Sequence, residues 1–176
     1  MARLPDQIRN RHHSPGRTAD PSDGSVRSGQ ASGIPVIIIN RKRSMGLPAA
    51  KQGDQVVGTD THIVMVPAGT SLTPTPLPHP FSGQLGGGLS SDVKIEGKAA
   101  ATVGSTADNS PPHVPTAPGT GFQKPPSNRA TIRFGSATVK INGKAAARAG
   151  DKADTCNDPA DLPVGQVVAT GTVLIG

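Results

Sequence analysis

Apolar side chains along this chain come singly or in short groups broken by glycine, proline or a charge, and in three places they fall into the same order. Thr138-Val139-Lys140-Ile141 alternates, which puts Val139 and Ile141 on one face of an extended strand and Lys140 on the other. Asn142-Gly143 follows, the dipeptide that best tolerates the positive φ angles of a two-residue hairpin turn. Lys144-Ala145-Ala146-Ala147-Arg148 then leads to a second turn at Gly150-Asp151. The order recurs from Ser91 to Ser105, as Val93-Lys94-Ile95, the turn Glu96-Gly97 and Lys98-Ala99-Ala100-Ala101. A third copy is split. Leu47-Pro48-Ala49-Ala50-Lys51-Gln52-Gly53-Asp54 matches the second half of the unit, and Gly171-Thr172-Val173-Leu174-Ile175-Gly176 matches the first.

A unit divided in this way is completed only when the last strand meets the first. The pattern therefore predicts an all-β fold, a small pseudo-threefold cone or prism of β-hairpin repeats closed by the N- and C-terminal strands, with Pro/Gly-rich loops. Closure also removes sheet edges. The two GKAAA runs would suit a helix by propensity, but closely spaced glycines bound each of them, so strand takes precedence. Thr73 to Pro80, with proline at every second position, reads as a loop.

Composition sharpens the expectation about the core. The 176 residues include 22 glycines and 18 prolines but only three phenylalanines and no Trp or Tyr, which argues against a conventional core packed around large side chains. A small domain of this kind needs a staple. The single cysteine rules out an internal disulfide, which leaves a metal or docking to a partner.

The repeats point to metal ligands. His62 lies nine residues after Gly53, His113 nine after Gly104 and Cys156 six after Gly150, so each unit delivers one donor past its second turn. His79, in the proline-rich stretch, has no counterpart in the other units, and a water or an aspartate such as Asp158 could stand in its place. Imidazole nitrogens with one thiolate suit Zn²⁺ or, less well, Fe²⁺. Four protein donors fill a tetrahedron, and no nucleophile elbow, phosphate loop or paired carboxylates accompany them, so the metal is expected to be structural and the protein not an enzyme. The alternative is a metal-dependent hydrolase with one ligand position open.

Charge divides the chain. Residues 1–44 carry eight basic side chains against three acidic ones, whereas the remainder is nearly neutral. That section lacks periodicity and reads as a disordered basic extension, with Met45 offering an alternative start and residues 45–176 forming the patterned domain. A nucleic-acid or surface-binding role would rest on this tail alone, and the scarcity of aromatics argues against base stacking. No apolar run approaches a membrane span, and no h-region follows the first arginines, so synthesis in the cytoplasm without a signal peptide is expected.

The Pro48-Ala49-Ala50-Lys51 segment with Gln52-Gly53-Asp54, the repeated hairpin turns and the final Thr172-Val173-Leu174-Ile175-Gly176 resemble the PAAR-repeat family over residues 45–176. The tetrapeptide that names the family is altered here, with Lys51 for arginine and with Ala99 and Ala145 where proline stands, so the hairpin register carries the match. The resemblance implies a spike tip that sits, one copy per trimer, on a trimeric VgrG-like spike of a contractile injection machine. That machine would be a type VI secretion system, an extracellular phage-tail-like particle or a phage tail. It further implies a metal near the point held by three histidines and one cysteine, by position His62, His79, His113 and Cys156. Assembly into the particle, meeting a target membrane on contraction and carrying a separate effector as cargo follow as expectations of the same resemblance.

Overall fold

The computed structural model describes residues 46–176, so the readings made for residues 1–44 lie outside the described residues. The described residues are strands and turns without a helix. In chain order the strands are β1 (Leu47–Pro48), β2 (Gln55–Ala68), β3 (Ser71–Gly87), β4 (Lys94–Ile95), β5 (Lys98–Ala99), β6 (Thr106–Asn109) and β7 (Gly121–Phe122). They continue with β8 (Arg129–Ile132), β9 (Lys140–Ile141), β10 (Lys144–Ala145), β11 (Lys152–Thr155), β12 (Leu162–Val168) and β13 (Leu174–Ile175).

The split hairpin forms. β1 pairs with β13 so that Leu47 faces Ile175 and Pro48 faces Leu174. This is the register in which Lys144 faces Ile141 in β9–β10 and Lys98 faces Ile95 in β4–β5. Glu96 and Asn142 sit at φ 51° and are followed by Gly97 at 81° and Gly143 at 78°, the paired positive angles that a two-residue turn between twisted strands requires.

The three units meet on an axis. Ile95, Ile141 and Ile175 pack with Ala49, Ala100 and Ala146 in one buried cluster. One residue further along each unit, Ala50, Ala101 and Ala147 are fully buried. Their backbones form a closed circle of hydrogen bonds: Ala50 N–H donates to the Ala147 carbonyl, Ala147 to Ala101 and Ala101 to Ala50, at 2.9, 3.0 and 2.9 Å. The alanine runs thus spend their N–H groups between units instead of four residues back, which is why helix propensity does not decide them. Side chains larger than methyl would collide at the axis.

Each unit then turns at a glycine. Gly53, Gly104 and Gly150 have φ of 85°, 90° and 86°, a region costly for other residues, and their N–H groups donate to the carbonyls of Leu85, Ile132 and Val167. The residue after each glycine closes the turn, with Asp54, Ser105 and Asp151 side chains accepting from the backbone N–H of Lys51, Thr102 and Arg148 at 2.9, 3.0 and 2.7 Å. Past these turns the antiparallel pairs β2–β3, β6–β8 and β11–β12 form a sheet in the order β2-β3-β6-β8-β11-β12, and β12 pairs back onto β2 through Gln166 and Val57. The barrel is therefore closed. Its interior holds Val56, Phe81, Leu85, Ala107, Ala130, Ile132, Ala153 and Val167, a filling dominated by small residues around one phenylalanine.

Side chains at the turns lock the three units in a circle. Glu96 accepts from the Thr172 N–H and hydroxyl at 2.8 and 3.0 Å, and Asn142 donates to Asp92 at 2.6 Å. The Gly176 carbonyl completes the set by accepting from the hydroxyls of Ser136 and Thr138.

One expectation fails. The stretch from Thr73 to Pro80 is not a loop but the middle of β3, paired residue for residue with β2 from Gln55 opposite Gln84 to Ala68 opposite Ser71. In an antiparallel pair alternate residues turn both backbone groups toward the same neighbour. Pro74, Pro76, Pro78 and Pro80 all occupy the positions that turn away from β2, so no ladder bond is lost. The Pro80 carbonyl confirms the direction by facing His113 Nε2 at 3.1 Å on the far side.

Candidate metal centre

The long β2–β3 hairpin runs beyond the barrel and carries two of the predicted donors. Asp60, His62 and Val64 are alternate residues of β2 that share its buried face. His79 lies directly across from Asp60, and Leu77 across from His62. His113 arrives from the segment between β6 and β8, anchored by its N–H donating to Asn128 Oδ1 at 2.7 Å. Cys156 follows β11. The segment after it is fixed along the outer edge of β2, where the Thr61 and Ile63 N–H groups donate to Asn157 Oδ1 and Asp158 Oδ2 at 2.8 and 3.0 Å.

His62, His113 and Cys156 converge with Asp60, one donor atom from each lying within 4.8 Å of the others. Cys156 Sγ is 4.0 Å from His62 Nε2 and 3.9 Å from His113 Nδ1, and those two nitrogens are 2.9 Å apart. Zn–N bonds of about 2.0–2.1 Å and a Zn–S bond of about 2.3 Å put neighbouring donors roughly 3.3–3.6 Å apart in a tetrahedron, so the three distances straddle the requirement.

The hydrogen-bond partners assign the tautomers. His113 Nε2 faces the Pro80 carbonyl and so carries its proton, which leaves Nδ1 with the lone pair. His62 Nδ1 faces the Asp158 carboxylate at 3.4 Å, which assigns its proton there and its lone pair to Nε2. With these tautomers two lone pairs meet at 2.9 Å, a repulsion that a shared proton or a cation between them relieves. The residues present fit a metal on this ground.

Burial sets the acid–base state around the gap. Desolvation, reinforced by the neighbouring His113, lowers the pKa of His62 from its ordinary 6.5 against the opposing pull of Asp158. Desolvation likewise lowers His113. The imidazoles are thus held neutral, the form that binds metal. Burial and the adjacent Asp60 carboxylate push the Cys156 thiol up to about 11, and its S–H donates to Asp60 Oδ2 at 3.2 Å. Asp60 is itself fully buried and accepts from the Thr155 hydroxyl and from Asn157 Nδ2.

His79 is brought beside this group with its nitrogens engaged elsewhere. Nδ1 donates to the Leu77 carbonyl at 3.0 Å, and Nε2 accepts from the Thr116 hydroxyl at 3.1 Å. Its ring centroid is 5.2 Å from that of His62 and 5.6 Å from that of His113, and Phe122 of β7 packs against the rings of His62 and His79. Asp60 is the residue that the sequence reading passed over. Its signal was present in Asp60-Thr61-His62, where residues two apart on a strand share a face. A cavity of about 180 Å³ opens against Cys156 and His62, with Lys124, Ser127, Asp158 and Asp161 among its walls.

The family model described as the PAAR motif matches residues 78–159, a span that takes in β4–β5, β9–β10, His79, His113 and Cys156. No curated protein matches the chain.

Proposed function

This chain is a PAAR-repeat protein, and on that premise we propose that it caps the trimeric VgrG-like spike of a contractile injection machine, one copy per trimer. The observation that carries the reading is the hairpin end, where one chain sets three equivalent hairpins around an axis. A single polypeptide thereby offers a threefold surface to a threefold partner. At the other end, His62, His79, His113 and Cys156 hold one structural metal, zinc or iron, with Asp60 the competing fourth donor. Such an ion ties β2, β3, the segment before β8 and the end of β11 together without requiring a large apolar core. The tip, made in the cytoplasm and joined to the particle, meets the target membrane first on contraction and leads any effector through.

Co-purification of the full chain with its cognate spike, followed by native mass spectrometry and metal analysis, tests this reading. The expected species is one chain with one ion on three spike subunits; three chains per trimer, or none, would contradict it.

The cavity beside Cys156 favours one second reading, a hydrolytic centre in which His79 stays with Thr116 and one coordination position remains open to water. Turnover of ester or amide substrates by the metal-loaded chain, lost in Cys156→Ser, would establish it.

A further inference from the structure

Val93, Val139 and Val173 occupy matching places in the three hairpins, and their carbonyls accept from the buried Ala100, Ala146 and Ala49 N–H groups at 3.0, 3.0 and 2.9 Å. They therefore border the axial cluster. Their exposures are closely matched, at 36, 37 and 42%, and among the described residues nothing covers them. The next residue of each strand projects from the opposite face, outside the valines: Lys94, Lys140 and, in the split unit, Leu174. An apolar centre with a charged margin is the anatomy of a protein interface.

The free charge in this margin is mainly positive. Among the described residues neither Lys94 nor Lys140 joins an ion pair, and both are exposed. Of the acidic groups nearby, Glu96 is paired with Lys51 and bound to Thr172, whereas Asp92 keeps its charge and is turned toward the neighbouring hairpin by hydrogen bonds to Asn142 and Ser90. Lys98 and Lys144 belong to another surface, since their Nζ atoms lean toward the Gly53 and Gly104 turns of neighbouring units.

From this we infer that the partner's threefold end has an apolar centre rimmed by carboxylates, of which Lys94 and Lys140 engage two while Leu174 leaves the third without a counter-charge. The inference rests on the capping reading and adds the chemistry of the surface that is capped. A true threefold partner must present the same carboxylate on every side, whereas this chain answers with lysine on only two.

Binding of the full chain to its cognate VgrG-like spike trimer on a biosensor surface, at low and high salt, tests it. Affinity is expected to fall as salt rises. Lys94→Glu and Lys140→Glu should each weaken binding roughly three- to tenfold, mainly through the association rate, because rim charges act on encounter. Lys98→Glu and Lys144→Glu should change it less than about twofold. Leu174→Lys should strengthen binding by about two- to threefold, since it supplies the missing counter-charge at an exposed position where the sister hairpins already carry lysine. Binding that ignores salt and both rim reversals, or that weakens in Leu174→Lys, overturns the carboxylate rim while capping stands. No binding under any condition removes the capping reading itself. Self-association of the chain alone, abolished by Val139→Lys, would assign the valines to a second copy and overturn the inference as well.

Discussion

The two ends of the barrel are built on opposite rules. At the hairpin end the main contacts occur three times: the isoleucines, the axial alanines, the turn glycines and the carboxyl or hydroxyl closures all have counterparts in each unit. At the histidine end only the placing of one donor per unit repeats, and the donors themselves differ. Asp60 and His62 come from β2, His79 from β3, His113 from a connecting segment and Cys156 from the end of β11. The first end is held by backbone groups and methyls that are interchangeable between units. The second is held by individual side chains, each necessary to one arrangement. A threefold surface needs like residues in each unit whereas a cluster of unlike donors does not, and the repeats of this chain diverge beyond the second turn.

The strongest way to break the symmetric end is to enlarge its axis. Ala101→Leu or Ala147→Leu forces a branched side chain among three converging methyls, and the expected cost is about 3 kcal/mol or more, read as a lowered or lost cooperative melt by circular dichroism. The asymmetric end breaks at a ligand. Cys156→Ser should abolish stoichiometric metal and lower Tm by on the order of 10 °C, taking about 2–4 kcal/mol of lost ligation. Comparing His79→Ala with Asp60→Asn sharpens this: loss of metal in the first alone assigns the fourth position to the histidine, and loss in the second alone assigns it to the carboxylate.

Acidity should separate the two ends more gently. In metal-free protein the buried imidazoles have lowered pKa values, so the unfolded chain binds protons more readily. Stability from this source is present above the ordinary 6.5 and is lost as pH falls below it and through the lowered values of the folded state. Denaturant melts across that range should show the decline, and His62→Gln should flatten it. Metal uptake at neutral pH should release a proton from Cys156, whose thiol lies near 11, and calorimetry in buffers of different ionisation enthalpy would count it. The smallest effect is expected at the locking circle, where Asn142→Ala removes one of three similar links and a favoured turn residue, for a Tm loss of about 2–5 °C.

The two ends also differ in how openly the sequence announces them. Val139-Lys140-Ile141-Asn142-Gly143 encodes its hairpin within a few residues, and the same order near Ile95 and at the two ends of the patterned region made three units and their closure readable. The donor set was readable as residue types and spacing, but not as geometry. Whether His79 or Asp60 faces the gap depends on the β2–β3 register and on Thr116 in a distant segment, neither of which has a local signature. The proline stretch misled for a different reason. One proline inside a strand argues against it, yet proline at every second residue places each missing N–H on the same side and leaves the pairing with β2 intact.

That spacing has a consequence for life at high concentration. Along Pro74, Pro76 and Pro78 the outer margin of β3 offers carbonyls without a single proton to give, so a strand from another molecule finds only half of a ladder there. A long extended hairpin would ordinarily be a template for filament growth. On this margin the prolines blunt that template, leaving a neighbouring copy no N–H groups to pair with.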